Sequence, residues 1–201
     1  SRLGGMTFYL RLPLRRTVIP LWSELRSEAP RIGAVLVAIF HFGGRDSRIL
    51  FLRRSQDLSH HAGEMCFPGG ERECEDASPW ETALREAREE ILLDPRRVEP
   101  VCPLPKAHAF VSGFDVFPVL GFVDCTNGGA ELKPNEGEIV SYCLADISRL
   151  DGGARLRTFE CRGRLVQSPE YVLEDGSVVW GVTGTILSNV LFGFHREGWF
   201  R

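Results

Sequence analysis

What this chain of 201 residues lacks narrows its class before any motif is read. No apolar run approaches the ~20 residues that a membrane-spanning helix needs. The six cysteines (Cys66, Cys74, Cys102, Cys125, Cys143, Cys161) never stand as C-x-x-C, so a zinc ribbon or finger has no ligand pairs, and reduced intracellular thiols are expected. There is no G-x-S-x-G, so a serine nucleophile lacks its turn. Lysine is nearly absent: 22 of the 24 basic residues are Arg, leaving Lys106 and Lys133. A formal charge of -3 and a mean hydropathy of -0.09 exclude a broad polyanion-binding surface and a disordered chain. Neither an internal repeat nor a low-complexity tract is present.

The apolar run Gly33 to Phe42 reads as a strand buried on both faces. A Gly43-Gly44-Arg45-Asp46 turn and the strand Arg48 to Arg54 follow, which makes a hairpin. Residues 55 to 76 are rich in Gly, Pro, His and acid and read as a long functional loop. Pro79 to Leu92 is the clearest helix, with Ser78 as N-cap, Pro79 at the first position and Glu81 at capping-box spacing. Further strands are expected at Val98 to Cys102, Val116 to Val123, Glu138 to Leu144, Arg155 to Cys161 and Glu170 to Leu173, with a last helix from Thr183 to Leu191. That mixture implies one α/β or α+β domain.

The chemistry concentrates between Gly63 and Leu93. Glu86, Glu89 and Glu90 stand three and four residues apart on one helix face, close enough to repel. Such a cluster is ordinarily a solvated acidic face balanced here by Arg85 and Arg88. The loop before it gives it another meaning. Phe67-Pro68-Gly69-Gly70 lets bare backbone approach a ligand, and a glycine carbonyl beside three carboxylates suits a hard cation such as Mg²⁺. Charge is also segregated: residues 1 to 63 carry ten basic and four acidic side chains, and residues 64 to 90 carry three and nine. A metal-bound polyphosphate needs both signs side by side.

These residues resemble the Nudix box, G-x5-E-x7-R-E-U-x-E-E-x-G-U with U apolar. Arg85-Glu86-Ala87-Arg88-Glu89-Glu90 fits its second half, and Gly70 its start. The interval from Gly70 to Arg85 is one residue longer than standard, which leaves Asp76 nearest to the middle acid. Leu50-Phe51-Leu52-Arg53-Arg54-Ser55, Gly63 and Phe67-Pro68-Gly69-Gly70 are similar to the upstream signature of the coenzyme A pyrophosphatase branch. Resemblance continues through Ser112-Gly113-Phe114, Pro118 to Phe122, Pro134 to Val140 and Trp180 to Leu187. Three positions depart from the pattern: Ser59 replaces an Arg, Leu52 a Thr and Leu92 the helix-ending Gly.

The resemblance implies an α/β/α sandwich with a mixed β-sheet between helices, a domain over 31–201 and an N-terminal extension over 1–30. It implies Mg²⁺ or Mn²⁺ held by Gly70, Glu86, Glu89 and Glu90, with Arg85, Glu86 and Glu90 as catalytic residues. Arg54, Ser55 and Gly69 are the substrate-binding candidates, and Glu86, Glu136 and Glu138 the candidate general bases. The implied substrate is a nucleotide-type small molecule, coenzyme A or an ester of it, cleaved to phosphopantetheine and 3′,5′-ADP. Ser59 and the Arg-rich start motivate an alternative, 5′-triphosphorylated RNA or a nucleotide sugar. Ser59 and Leu92 motivate another, a relaxed domain serving as a binding or scaffold subunit of a protein assembly. No membrane partner is expected. His60 and His61 are adjacent, point apart in a strand and are ordinary loop residues; His108 receives no role. Arg2, Arg11, Arg15 and Arg16, with no acid before Glu24, resemble a transit peptide, so a mitochondrial or peroxisomal location is expected over the cytosol.

Overall fold

A computed structural model describes residues 18–55, 63–150, 153–161 and 163–196. The Arg-rich start, Ser59, His60 and His61 lie outside the described residues. After a short 3₁₀ turn at Trp22–Glu24 come the strands β1 (Arg31–Gly43), β2 (Asp46–Arg54), β3 (Met65–Cys66) and β4 (Gly69–Glu71), then helix α1 (Pro79–Ile91). A second 3₁₀ turn (Pro95–Arg97) leads to β5 (Val98–Pro103), β6 (Ala107–Ala109), β7 (Phe114–Asp124) and β8 (Ile139–Asp146). Next come α2 (Ile147–Leu150), β9 (Arg155–Cys161), β10 (Arg164–Val172), β11 (Val178–Val179) and α3 (Gly181–Arg196).

The main sheet runs β3-β2-β1-β7-β5, with β4 on β1, β6 on β7 and β8 on β2. Its β1–β7 pair is parallel and its other pairs antiparallel, so the sheet is mixed. The apolar run in β1 serves two cores. Ala34, Leu36, Ala38 and Phe40 pack under Ala83, Ala87 and Ile91 of α1. Val37 and Ile39 face the other way, toward Ile186, Leu187, Val190 and Phe194 of α3. Period-two alternation between two apolar layers explains why β1 reads as continuously hydrophobic. The α/β sandwich with helices on both faces matches the expected fold class.

Several expectations need correction. The stretch 55–76 holds β3 and β4, because Gly69 and Gly70 let that backbone lie flat against β1 in the register Val35↔Gly69 and Ala34↔Gly70. Helix α1 stops one residue early. Leu92 adopts φ 54°, ψ 26°, the left-handed cap that the expected Gly would take, and its N–H reaches Arg88 O at 3.0 Å. The capping box is half formed: Ser78 Oγ accepts from Glu81 N, but Glu81 Oε2 accepts from Ala77 N at 2.7 Å. Strand β10 begins at Arg164, earlier than Glu170, because its hairpin with β9 is largely exposed and carries little apolar signal. Helix α3 likewise outruns the expected Thr183 to Leu191, and β6 and α2 are too short to read from periodicity.

Trp22, which the sequence reading assigns to an N-terminal extension, is 3% exposed and belongs to the core beneath α1. Its ring meets Phe117 edge-on, with centroids 5.2 Å apart. None of the helices among the described residues is long and apolar enough to cross a membrane.

Candidate active site

Helix α1 and strand β4 build the site between them. The close approach that brings Gly70 to β1 also sets its Cα against α1, where an added Cβ would lie inside the Glu86 carboxylate. Only glycine fits there. One residue earlier, the Gly69 N–H donates to Glu90 Oε2 at 3.0 Å. The Gly70 carbonyl lies beside Gly33 of β1.

The three glutamates occupy different environments. Glu90 is 2% exposed, and burial raises its carboxyl to about 8; the Gly69 amide and Arg54 oppose that rise, while Glu86 and Glu138 add to it. Glu86 is also raised, first by burial and then by Glu89 and Glu138, with Arg85 pulling the other way. Glu89 remains mostly exposed. Glu86 and Glu90 are thus carboxylates placed where ionisation is costly without a cation.

Arg85 organises Glu86 and Glu89. Its Nη1 donates to Glu86 Oε1 at 2.8 Å and to Glu89 Oε2 at 3.4 Å. Its Nη2 donates to Asp76 Oδ2 at 3.0 Å and to the Glu71 carbonyl at 2.9 Å, while Nε faces Asp76 Oδ1 at 3.3 Å. Lysine has no planar fork to span that set. Asp76, nearly buried, accepts also from Glu73 N at 3.0 Å and Thr82 Oγ1 at 2.9 Å. Burial opposes its ionisation, but Arg85 and these donors hold its carboxyl below the ordinary range. Asp76 therefore meets Arg85 even though eight residues separate the two in sequence.

The donor chemistry fits a hard divalent ion: carboxylate oxygens, two of them poorly solvated, beside backbone bared by Gly70. Among the described residues, no group of three His, Cys, Asp or Glu side chains already converges on one point. Glu86 and Glu89 are instead directed at Arg85.

A cavity of about 370 Å³ opens beside this cluster. Val35, Phe67, Phe159, Trp180 and Ile186 make it largely apolar, and Arg54 and Gly69 belong to its wall. Arg54 Nη1 lies 3.6 Å from Glu90 Oε1, so the cavity meets the carboxylates at that point. Ser55 is buried, and its N–H bonds the Glu138 carbonyl at 2.8 Å; it is not among the lining residues. Glu136 and Glu138 are both exposed before β8, and the charge of Glu138 is among the influences that raise Glu86 and Glu90.

Lys106 and His108 belong to the wall of this cavity, and sequence reasoning missed the acid that holds them. Asp115, on β7, is buried and accepts from Lys106 Nζ at 2.8 Å and Ser27 Oγ at 2.6 Å, and it pairs with His108 Nδ1 at 2.7 Å. Inside an apolar strand, a lone Asp is the one signal that could have drawn attention to it.

The NUDIX domain family model matches residues 30–165. The chain is 33% identical over 180 residues to the mitochondrial Nudix hydrolase 15 of Arabidopsis thaliana, covering 86% of this chain and 62% of that protein. It is 40% identical over 106 residues to a peroxisomal coenzyme A diphosphatase of Mus musculus, covering 53% of this chain and 43% of the mouse protein. The chain therefore spans less than two thirds of the length of these relatives. The MutT protein of Methanosarcina mazei Go1 shares the fold, with a TM-score of 0.50 and 18% identity over 86% of this chain and 96% of that one. With the matched model spanning the sheet, the glycine strand and the glutamate helix, this chain belongs to the NUDIX domain family.

Proposed function

We propose that the protein is a divalent-metal-dependent pyrophosphohydrolase that cleaves the diphosphate of coenzyme A or its esters to phosphopantetheine and 3′,5′-ADP. The observation that carries the reading is the pairing of a buried, Arg-organised carboxylate cluster with an apolar cavity that meets it at Arg54 and Gly69. Glu86, Glu89 and Glu90, with the Gly70 carbonyl, would hold Mg²⁺ or Mn²⁺. Such an ion neutralises phosphate charge and acidifies a bound water.

The protein's own groups do the rest. Arg85 orients the carboxylates. Arg54 contacts a substrate phosphate where the cavity meets Glu90. Glu138 is the group that takes the proton of the attacking water, because its charge acts on both buried glutamates and its carboxylate is exposed enough to exchange that proton. Water oxygen forms the new P–O bond, and the bridging anhydride bond breaks. The apolar cavity accommodates the moiety beyond the diphosphate and keeps bulk water from it. Support for coenzyme A comes from the signature at Leu50–Ser55, Gly63 and Phe67–Gly70 and from the partial mouse relative named for that activity. Relatives named mitochondrial and peroxisomal support an organellar location.

The test is direct: incubate the purified protein with coenzyme A and Mg²⁺ and resolve products by chromatography. Release of 3′,5′-ADP that requires the metal is expected. Absence of that product, while triphosphorylated RNA or nucleotide sugars are hydrolysed, overturns the substrate assignment.

A further inference from the structure

We propose that Trp22 is a positioning residue for the glutamate cluster. It acts through a hydrogen-bonded relay, Trp22–Thr82–Asp76–Arg85–Glu86, that ties the segment before β1 to the carboxylates. The proposal rests on the metal reading of that cluster and assigns it a control point outside the family motif.

Each link constrains the next. The Trp22 indole N–H donates to Thr82 Oγ1 at 3.2 Å, and both residues are buried. A hydroxyl has a single proton. With the indole on its acceptor side, Thr82 sends that proton to Asp76 Oδ2 at 2.9 Å, the shorter of two choices, the Ser78 carbonyl being 3.4 Å away. Asp76 in turn takes the Nε and Nη2 edge of the Arg85 guanidinium. Because that group is planar and rigid, engaging one edge fixes where the other points. The remaining nitrogen, Nη1, meets Glu86 and Glu89. A turn of the Asp76 carboxylate therefore moves the donor that orients two proposed metal ligands.

Trp22 is itself held from three directions. Its ring stands edge-on to Phe117, its backbone N–H donates to Ala77 O at 2.9 Å, and the Arg72 guanidinium lies 5.5 Å over its face. The Ala77 contact joins it to the turn between β4 and α1, the backbone that carries Asp76. A tryptophan needed only to fill the core would not have to align its one polar atom with this chain of donors.

Three substitutions and a control separate relay from packing. Thr82→Val keeps the side-chain shape and removes the hydroxyl, whereas Thr82→Ser restores it. Trp22→Phe keeps the aromatic packing and removes the N–H. Val190→Ala, on the buried face of α3, serves as a destabilised control remote from the relay. Mn²⁺ binding is read by electron paramagnetic resonance of the free ion, without substrate, alongside thermal melting. Partners of metal ligands typically change affinity by roughly 10- to 100-fold when removed. Thr82→Val is expected to weaken Mn²⁺ binding about tenfold and Trp22→Phe about threefold. Thr82→Ser and Val190→Ala should stay within about twofold of the parent protein. In ¹H–¹⁵N spectra, the indole resonance lost in Trp22→Phe should shift in Thr82→Val. Unchanged Mn²⁺ affinity in both Thr82→Val and Trp22→Phe overturns the relay alone, as does an equal loss in Val190→Ala. A parent protein that binds no Mn²⁺ overturns the metal reading and the relay with it.

Discussion

Replacing Glu90 by Gln should make the metal-free protein more stable at alkaline pH. Glu90 is buried, and its carboxyl titrates at about 8 against an ordinary 4.5. Below the lower value both folded and unfolded states hold the proton, so burial has no ionic cost. Between the two values the unfolded chain has released its proton while the native state retains it. Stability then falls as pH rises, because the native state binds more protons. Above 8 the native protein carries the full penalty of a charge packed against Gly69 and only distantly met by Arg54, 3.6 Å away. At about 1.4 kcal/mol per pH unit of displacement, that penalty is on the order of 3–5 kcal/mol. An amide at position 90 still offers an oxygen to the Gly69 N–H and has no charge to bury.

Melting curves in chelator at pH 5, 6.5 and 8.5 check this. The two proteins should melt within a few degrees of each other at pH 5, and Glu90→Gln should melt roughly 5–15 °C higher at pH 8.5. Millimolar Mg²⁺ should close the gap by stabilising the parent protein alone. A parent melting temperature that does not fall relative to the variant between pH 5 and 8.5 refutes the argument. So does a variant less stable than its parent at pH 8.5.

Two substitutions probe the neighbouring backbone. Gly70→Ala places a methyl where the Glu86 carboxylate sits, so metal-dependent hydrolysis should fall at least tenfold, with about 1–3 kcal/mol lost in a urea melt. Leu92→Gly relieves a left-handed conformation at a residue that is 57% exposed, and should raise stability by about 0.5–1 kcal/mol in the same assay with activity unchanged.

The leucine at position 92 shows how a motif departure can preserve geometry. Its φ of 54° is the one positive value at a non-glycine among the described residues. The chain accepts that cost because Leu93 beyond it is buried and its N–H returns to Ala87 O. Asp76 teaches a similar lesson. Counted forward from Gly70, Asp76 stands at the acid of the motif, and counted back from Arg85 it is one residue early, yet Arg85 and Thr82 both meet it. Spacing describes the chain, whereas side-chain reach absorbs one extra residue.

Local pattern alone was enough for the sheet-forming run of β1, the capped helix α1, the permissive backbone at Gly69 and Gly70 and the three glutamates on one helical turn, although not for the strand β4 that those glycines enter. Those features depend on neighbours in the chain: periodicity, capping chemistry and the freedom of glycine. Tertiary structure decided which glutamate is buried, that the charge of Glu138 reaches Glu86 and Glu90, and that Trp22 is core. It also joined Asp115 to Ser27, Lys106 and His108. Each of those outcomes depends on segments far apart in sequence excluding water from one another, and no local pattern carries that information.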